Sequence, residues 1–402
     1  MPLEKREGII VVGAGIMQIP AILTSKKMGL FVIATDRNPD APAFQFCDCS
    51  VVLDTNYAEG HVDFAVKNRD KYNIRAAFSG ADNAITVASI ANAIGLRGIS
   101  KEVAELSNNK AKMKKRWLRD GIPTPYGEEV ATLKDAEQVL KRIGFPAMVK
   151  AVDNAASRGS RKITSQEELP DAVEKAMAAS RSHTALVEEY VFGDEQSVET
   201  IVYHNKHYHC GMADRQFGFH PYHIETAHVD PSELSDEIKK RIYEVVDAAA
   251  ESLGIDFGPA KADMILTPKG PMVLELPARL SGGFHSQYTT PLATGRDPIR
   301  AVMDISLGRE LDESLLVPSK SNTSICAGIF PPKGRVKSIR GVEEAKTIKG
   351  VEQIFITKKQ GDMIEDYIDN GRRFCWVITV GKDKKQAFDR FEQAREKIVF
   401  VL

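Results

Sequence analysis

Lys261-Ala-Asp-Met-Ile-Leu-Thr-Pro-Lys-Gly-Pro-Met-Val-Leu-Glu275 is the stretch from which the rest of the chain is read. Two apolar runs flank Pro268-Lys269-Gly270, which suits a three-residue hairpin loop with glycine in the left-handed position. Thr267 then faces Pro271, and the same register sets Asp263 opposite Glu275. Directly opposed Cβ atoms lie about 4.5–5.5 Å apart on one face. Two carboxylates that close repel each other unless a cation lies between them, and Mg²⁺ binds through one or two carboxylates plus substrate phosphates. The pair therefore reads as a metal–nucleotide site or, equally, as a solvated acidic pair on an exposed face. A two-residue loop would shift the register and put the acids on opposite faces.

Working outward, Arg279 follows Glu275, and Ser281-Gly282-Gly283 offers backbone that can approach an anion closely. Upstream, Lys150 ends an apolar run and opens Asp153-Asn-Ala-Ala-Ser-Arg-Gly-Ser160. A lysine beside a small-residue loop combines a point charge with free backbone N–H groups, as phosphate binding requires. No GxxxxGK[ST] motif is present, and a plain surface turn is the alternative. In Leu186-Val-Glu-Glu-Tyr-Val-Phe-Gly-Asp-Glu195 an apolar strand runs into acids. Backbone near Glu189–Val191 suits adenine and Glu195 suits ribose hydroxyls, against a reading of each acid as surface decoration. Arg215 to His228 is dense in aromatics and imidazoles. His220 and His223 have HxxH spacing but no convincing third ligand, so these histidines and His228 read as pocket lining or as packing. His285 and Tyr288 are further pocket candidates.

The first hundred residues alternate short apolar runs (Ile9–Val12, Phe31–Thr35, Ser50–Leu53, Ala76–Ser79) with helical patterns, which predicts a small doubly wound parallel sheet. Gly13-x-Gly15 after the first run hints at a dinucleotide turn, but Gln18 stands where the third glycine belongs. At 402 residues the chain is long enough for two to four domains. We divide it at 1–105, 106–195, 196–317 and 318–402, the last a separate α+β module of short strands and a final helix. Lys plus Arg (54) balances Asp plus Glu (55), so no strong field draws the chain to nucleic acid or membrane. The basic stretch from Lys110 to Arg119 is for the most part a solvated helix face. Five cysteines without a CxxC pair fit a reducing, cytoplasmic setting.

The order Lys110, Lys150 with its Gly/Ser loop, Val-Glu-Glu-Tyr-Val-Phe-Gly-Asp-Glu195, Asp263 and Glu275-Leu-Pro-Ala-Arg279 resembles the ATP-grasp superfamily over almost the whole chain. Thr35-Asp-Arg-Asn-Pro-Asp-Ala-Pro-Ala43 looks like its N-terminal domain, and Phe330-Pro-Pro-Lys-Gly-Arg335 like the C-terminal module of biotin carboxylase. The resemblance implies an α/β and α+β multidomain fold with ATP and Mg²⁺ (or Mn²⁺) as cofactors. Lys110 and Lys150 would bind ATP phosphates under a loop carrying Ser157, Arg158, Gly159 and Ser160. Glu188, Glu189, Tyr190 and Val191 would form the adenine hinge, and Glu195 would hold ribose. Asp263 and Glu275 would carry the metal. Arg279, with Lys150, would act on the phosphorylated intermediate. It further implies a homodimer acting on a small acid and an amine, without nucleic acid or membrane. Two positions depart from the pattern. Pro277 replaces a frequent Asn ligand, and Gly283 replaces the catalytic Glu of biotin carboxylase, which favours amide-forming members. The rivals are a bicarbonate-using member of the superfamily, a nicotinamide oxidoreductase resting on Gly13 and Gly15, and a non-catalytic nucleotide sensor.

Overall fold

The computed structural model describes residues 6–80 and 83–402. Strands β1 (Gly8–Val12), β2 (Phe31–Asp36), β3 (Cys49–Val52) and β4 (Ile74–Phe78) form a parallel sheet in the order β3-β2-β1-β4. β1 is buried along its whole length, as expected of a parallel strand covered on both faces. This is the doubly wound unit foreseen from the apolar runs.

A second, antiparallel sheet follows, built from β5 (Gly127–Val130), β6 (Ala147–Ala151), β7 (Arg161–Ile163) and β8 (Ala185–Glu189) in the order β5-β8-β6-β7. The helices Leu133–Ile143 and Leu169–Ala179 cover it, burying Val139, Leu140 and Val173 against Val149 and Val187. Thr132 caps the first of these helices, its side chain accepting from the Asp135 N–H.

The largest sheet takes in β9 (Asp194–Tyr203), β10 (Lys206–Gly218), β11 (Ile224–Asp230), β12 (Gly258–Thr267), β13 (Gly270–Glu275) and β14 (Thr323–Gly328), in the order β13-β12-β9-β10-β11-β14. Cys375–Gly381 and Val351–Ile356 extend it beyond β14. The segment after 317, read from sequence as a separate module, thus hydrogen-bonds into the central sheet through the β11–β14 ladder. Side chains alternate along the strands. On β12, Ala260, Ala262 and Met264 pack under the helix Asp236–Leu253, whereas Lys261, Asp263 and Ile265 face a cavity. No helix among the described residues is long and apolar enough to cross a membrane.

At the start of β10, His207 Nδ1 and His209 Nε2 lie 3.1 and 3.3 Å from Asp247 Oδ1 on the 236–253 helix. The His209 ring stacks on Tyr243 at 3.9 Å. The hydrogen bond to Asp247 raises the His207 pKa despite partial burial. A raised imidazole contributes stability that is full below its unfolded value and is lost as pH rises through its folded value. Asp247→Asn should therefore bring the His207 titration back toward the ordinary imidazole value of about 6.5, read from the ring proton shifts by NMR. An unchanged titration would refute the pairing.

Candidate active site

Sheet pairing places the candidate residues in two rows. Ile265, Glu195, Arg215 and His228 are successive cross-strand neighbours on β12, β9, β10 and β11. Glu275, Asp263 and Ser197 form the adjacent row. Both rows face a cavity of about 520 Å³, lined on its other sides by residues of the 153–160 loop, of β8 and of 370–376.

Asp263 pairs with Glu275 as expected, but by another route. Thr267 pairs with Gly270, so the turn is the two-residue loop Pro268-Lys269, and this register holds up to Met264 opposite Val273. A bulge at Leu274 then restores the match. The three-residue loop read from sequence is thus corrected, while the shared face stands.

The pair is embedded in positive charge. Asp263 Oδ1 accepts from Arg215 Nη1 at 2.7 Å and from the Lys261 ammonium. Glu275 Oε2 lies 3.1 Å from Lys110 Nζ. Burial works to raise the Glu275 carboxyl, but Lys110 and Lys261 outweigh it and hold it well below the usual range. Burial, helped by the charge of Glu275, keeps Asp263 above its usual value against Arg215 and Lys261. Two carboxylates opposed this closely fit a divalent cation between them. Among the described residues no group of three or more His, Cys, Asp or Glu donors converges, so Asp263 and Glu275 would be the protein's share, with phosphate oxygens and water completing the shell. Pro277 contributes only its carbonyl, which accepts from the Lys261 and Arg279 N–H groups.

Lys110 opens the helix Lys110–Asp120, and its Nζ also donates to Asn154 O at 2.7 Å. One turn on, Lys114 is buried, the exception on a basic stretch whose Lys112, Lys115 and Arg119 are exposed. Lys114 Nζ lies 2.9 Å from Glu188 Oε2 and donates to Thr124 Oγ1 at 2.8 Å. Lys150 Nζ reaches Glu188 Oε1 at 2.5 Å. Burial opposes ionisation of Glu188, but the two lysines outweigh it and keep its pKa below the usual range. The Glu188 side chain, assigned to an adenine hinge by resemblance, is therefore occupied as the bridge between two lysines. In the neighbouring backbone, Glu189 N–H donates to Tyr126 O at 2.8 Å and Tyr190 N–H to Pro146 O at 3.3 Å. Tyr190 and Val191 line the cavity. Glu195 is engaged with His223 Nε2 at 2.6 Å, so a ribose hydroxyl would have to share or displace that contact.

In the 153–160 loop, Ala156 and Ser157 adopt left-handed backbone with φ of 58° and 57°. Gly159 has φ of 68°, and a Cβ there would meet Ala179 Cβ at 2.7 Å. It serves close packing on the 169–179 helix. Ser157, Arg158 and Ser160 line the cavity.

Three pocket candidates fall elsewhere. Tyr288 packs against Phe284 and Phe355 and does not line the cavity. His220 is exposed beside Pro221 and does not line the cavity. Ser281 is buried behind the wall, its N–H taken by the Glu199 carboxylate and Ser286 Oγ. Gly282, Gly283, His223, His228, His285 and Arg279 do line it. Burial pulls His228 down to about 4, leaving it neutral at pH 7. His285 lies 3.0 Å from Asp230, which outweighs burial and raises its pKa.

Arg215, Lys261, Glu225 and Arg373 were missed in the sequence. Arg215 Nε donates to Glu225 Oε1 at 2.9 Å, and Arg373 Nη1 to Glu225 O at 2.9 Å. Strand parity with Asp263 would have found Lys261; Arg215 carries no comparable local signal. In the N-terminal turn, Gly13 N–H donates to Thr35 O and Ala14 N–H to Asp36 Oδ2. Those donors are spent internally, which weighs against a dinucleotide site.

Residues 126–280 match a family model described as the D-ala D-ala ligase C-terminus, and residues 328–402 one described as L-amino acid ligase C-terminal domain 2. The chain is 28% identical over 229 residues to an alanine–anticapsin ligase of Bacillus subtilis, covering 50% of this chain and 48% of that protein. It is 26% identical over 318 residues to an uncharacterised protein of Sinorhizobium fredii, covering 78% and 65%. It thus spans between about half and two thirds of the length of these relatives. Its fold is that of an L-amino acid ligase from Bacillus licheniformis (TM-score 0.84, 20% identity, 99% of both chains). It is also that of N5-carboxyaminoimidazole ribonucleotide synthetase from Thermotoga maritima (TM-score 0.74, 20% identity, 98% and 99%). Two family models of ligase domains thus match separate parts of the chain, 126–280 and 328–402, and the chain shares one fold end to end with these solved ligase and synthetase structures.

Proposed function

We propose that the protein is an ATP-dependent carboxylate–amine ligase acting on small molecules. The observation that carries this reading is the opposed pair Asp263 and Glu275, set in one cavity with Lys110, Lys150 and Arg279. Lys110 and Lys150 neutralise the ATP phosphates, and the loop bearing Ser157, Arg158 and Ser160 covers them. Backbone from Glu189 to Val191 borders adenine. Asp263 and Glu275 would hold Mg²⁺ (or Mn²⁺), which supplies charge neutralisation between the phosphates. A substrate carboxylate oxygen attacks the γ-phosphorus, the bond to the β-phosphate oxygen breaks, and ADP leaves. The amine then attacks the acyl carbon, losing a proton as phosphate departs. Arg279 stabilises the charge on the transferring group. Such transfer relies on positioning and electrostatics more than on covalent help. Excluding water protects the acyl phosphate.

The remaining parts of this reading are a homodimer, a cytoplasmic setting and the four-part division at 105, 195 and 317. A panel of acids and amines assayed for ADP release, with hydroxylamine trapping the acyl phosphate as a hydroxamate, tests the chemistry. Full substrate-dependent ADP release by Lys150→Met would sink the assignment.

A further inference from the structure

We propose that Asn370 is a positioning residue that latches the 153–160 loop shut over the phosphate side of the cavity. The inference rests on the preceding reading for the loop's purpose, but not for the latch itself.

Asn370 bonds in three directions. Its N–H donates to Ala156 O at 2.8 Å, its Nδ2 to Ser157 Oγ at 3.0 Å, and its Oδ1 accepts from the Glu225 N–H at 2.9 Å. Ala156 and Ser157 are the two consecutive left-handed residues of the loop. Non-glycine residues hold that conformation only where their surroundings fix it. Here the fixing groups are Asn370 on one side and the His223 carbonyl, which accepts from Ser157 Oγ at 3.0 Å, on the other.

The far side of the latch is anchored in the reaction site. Glu225 receives Asn370 at its N–H and Arg373 at its carbonyl, while its carboxylate holds Arg215. Arg215 in turn reaches Asp263. One run of hydrogen bonds therefore joins the loop to the carboxylate pair through a single carboxamide. A loop held by Asn370 closes only against an assembled Glu225–Arg215–Asp263 group, which ties closure to a site ready for phosphate.

Hydrogen exchange of the full chain, followed by mass spectrometry, tests the latch without any substrate. Two side-chain hydrogen bonds are lost in Asn370→Ala, so amides of residues 155–160 should exchange about tenfold faster, as should the Glu225 amide that loses its acceptor, with β9, β10 and β12 unchanged. MgATP, used as the probe, should dissociate faster by a similar factor. Asn370→Asp keeps the acceptor for Glu225 and loses the donor to Ser157, so it should fall between. Ser157→Ala loses the bond to the His223 carbonyl as well, so it should exceed Asn370→Asp, and Asn370→Asp should add nothing to it in the double variant. Wild-type loop exchange in Asn370→Ala overturns the proposal, and so does acceleration spread evenly over the chain. A wild-type protein that binds no MgATP would instead refute the ligase reading, while the exchange data still decide the latch.

Discussion

Glu188→Gln is expected to cost the fold about 3 kcal/mol, because removing one member of a buried ion pair strands its partners. Glu188 is 2% exposed and Lys114 only 1%. The carboxylate is shared between Lys114 and Lys150. Glutamine keeps the shape and one carbonyl acceptor but leaves the buried Lys114 ammonium, and Lys150 at the cavity wall, without their shared counter-charge. Lys150 would lose its position as well, so MgATP affinity should fall together with stability. A depressed carboxyl gives stability that is present above its unfolded pKa and lost as pH falls through its lower folded value. Acid should therefore weaken the wild type below about pH 4, while the variant should lack that component. Denaturant titration followed by the fluorescence of Trp117, buried in the 110–120 helix, measures both. A cost under about 0.5 kcal/mol, the range of ordinary surface changes, would show that the bridge is dispensable.

Glu275→Gln should do the opposite, lowering substrate-dependent ADP release by about 10²–10³ with little loss of fold. Its contact Lys110 is partly exposed and keeps the Asn154 carbonyl, so no fully buried charge is abandoned. With the neighbouring negative charge removed, Asp263 should ionise more readily, since Glu275 is one of the causes holding its pKa up. Asp263→Asn is the instructive contrast: it strips a partner from both Arg215 and Lys261 and should lose stability along with turnover. Near-normal turnover in Glu275→Gln, with matched denaturation curves, would remove this pair from the reaction.

These contrasts reflect what a linear sequence can express. The parallel strands were legible because a strand covered on both faces reads as an unbroken apolar run, as in Gly8–Val12. The acidic pair was legible in outcome but not in mechanism, since the two-residue turn and the bulge at Leu274 cancel. Neither leaves a mark beyond an ordinary Pro-Lys-Gly. Lys114 was within reach, four residues after Lys110 and so on the same helical face. Arg215 was not: it meets Asp263 across β9, from a residue 48 positions away, and no local pattern encodes that. His220 and His223 look alike in the sequence, yet one is exposed beside a proline while the other stacks on Phe217 at 3.8 Å. Ser281 was misplaced because Glu199, whose carboxylate claims its N–H, lies on another strand.

The ladder between β11 and β14 has a bearing on how such a chain can change over generations. Ala227 to Asp230 pair with Ser324 to Ala327, so the last part of the chain is woven into the fabric that carries His228. A replacement tail borrowed from a relative would have to reproduce that pairing, or leave an open strand edge prone to self-association. New preferences at this site are therefore more readily reached by single substitutions within the existing weave than by trading its tail as a cassette.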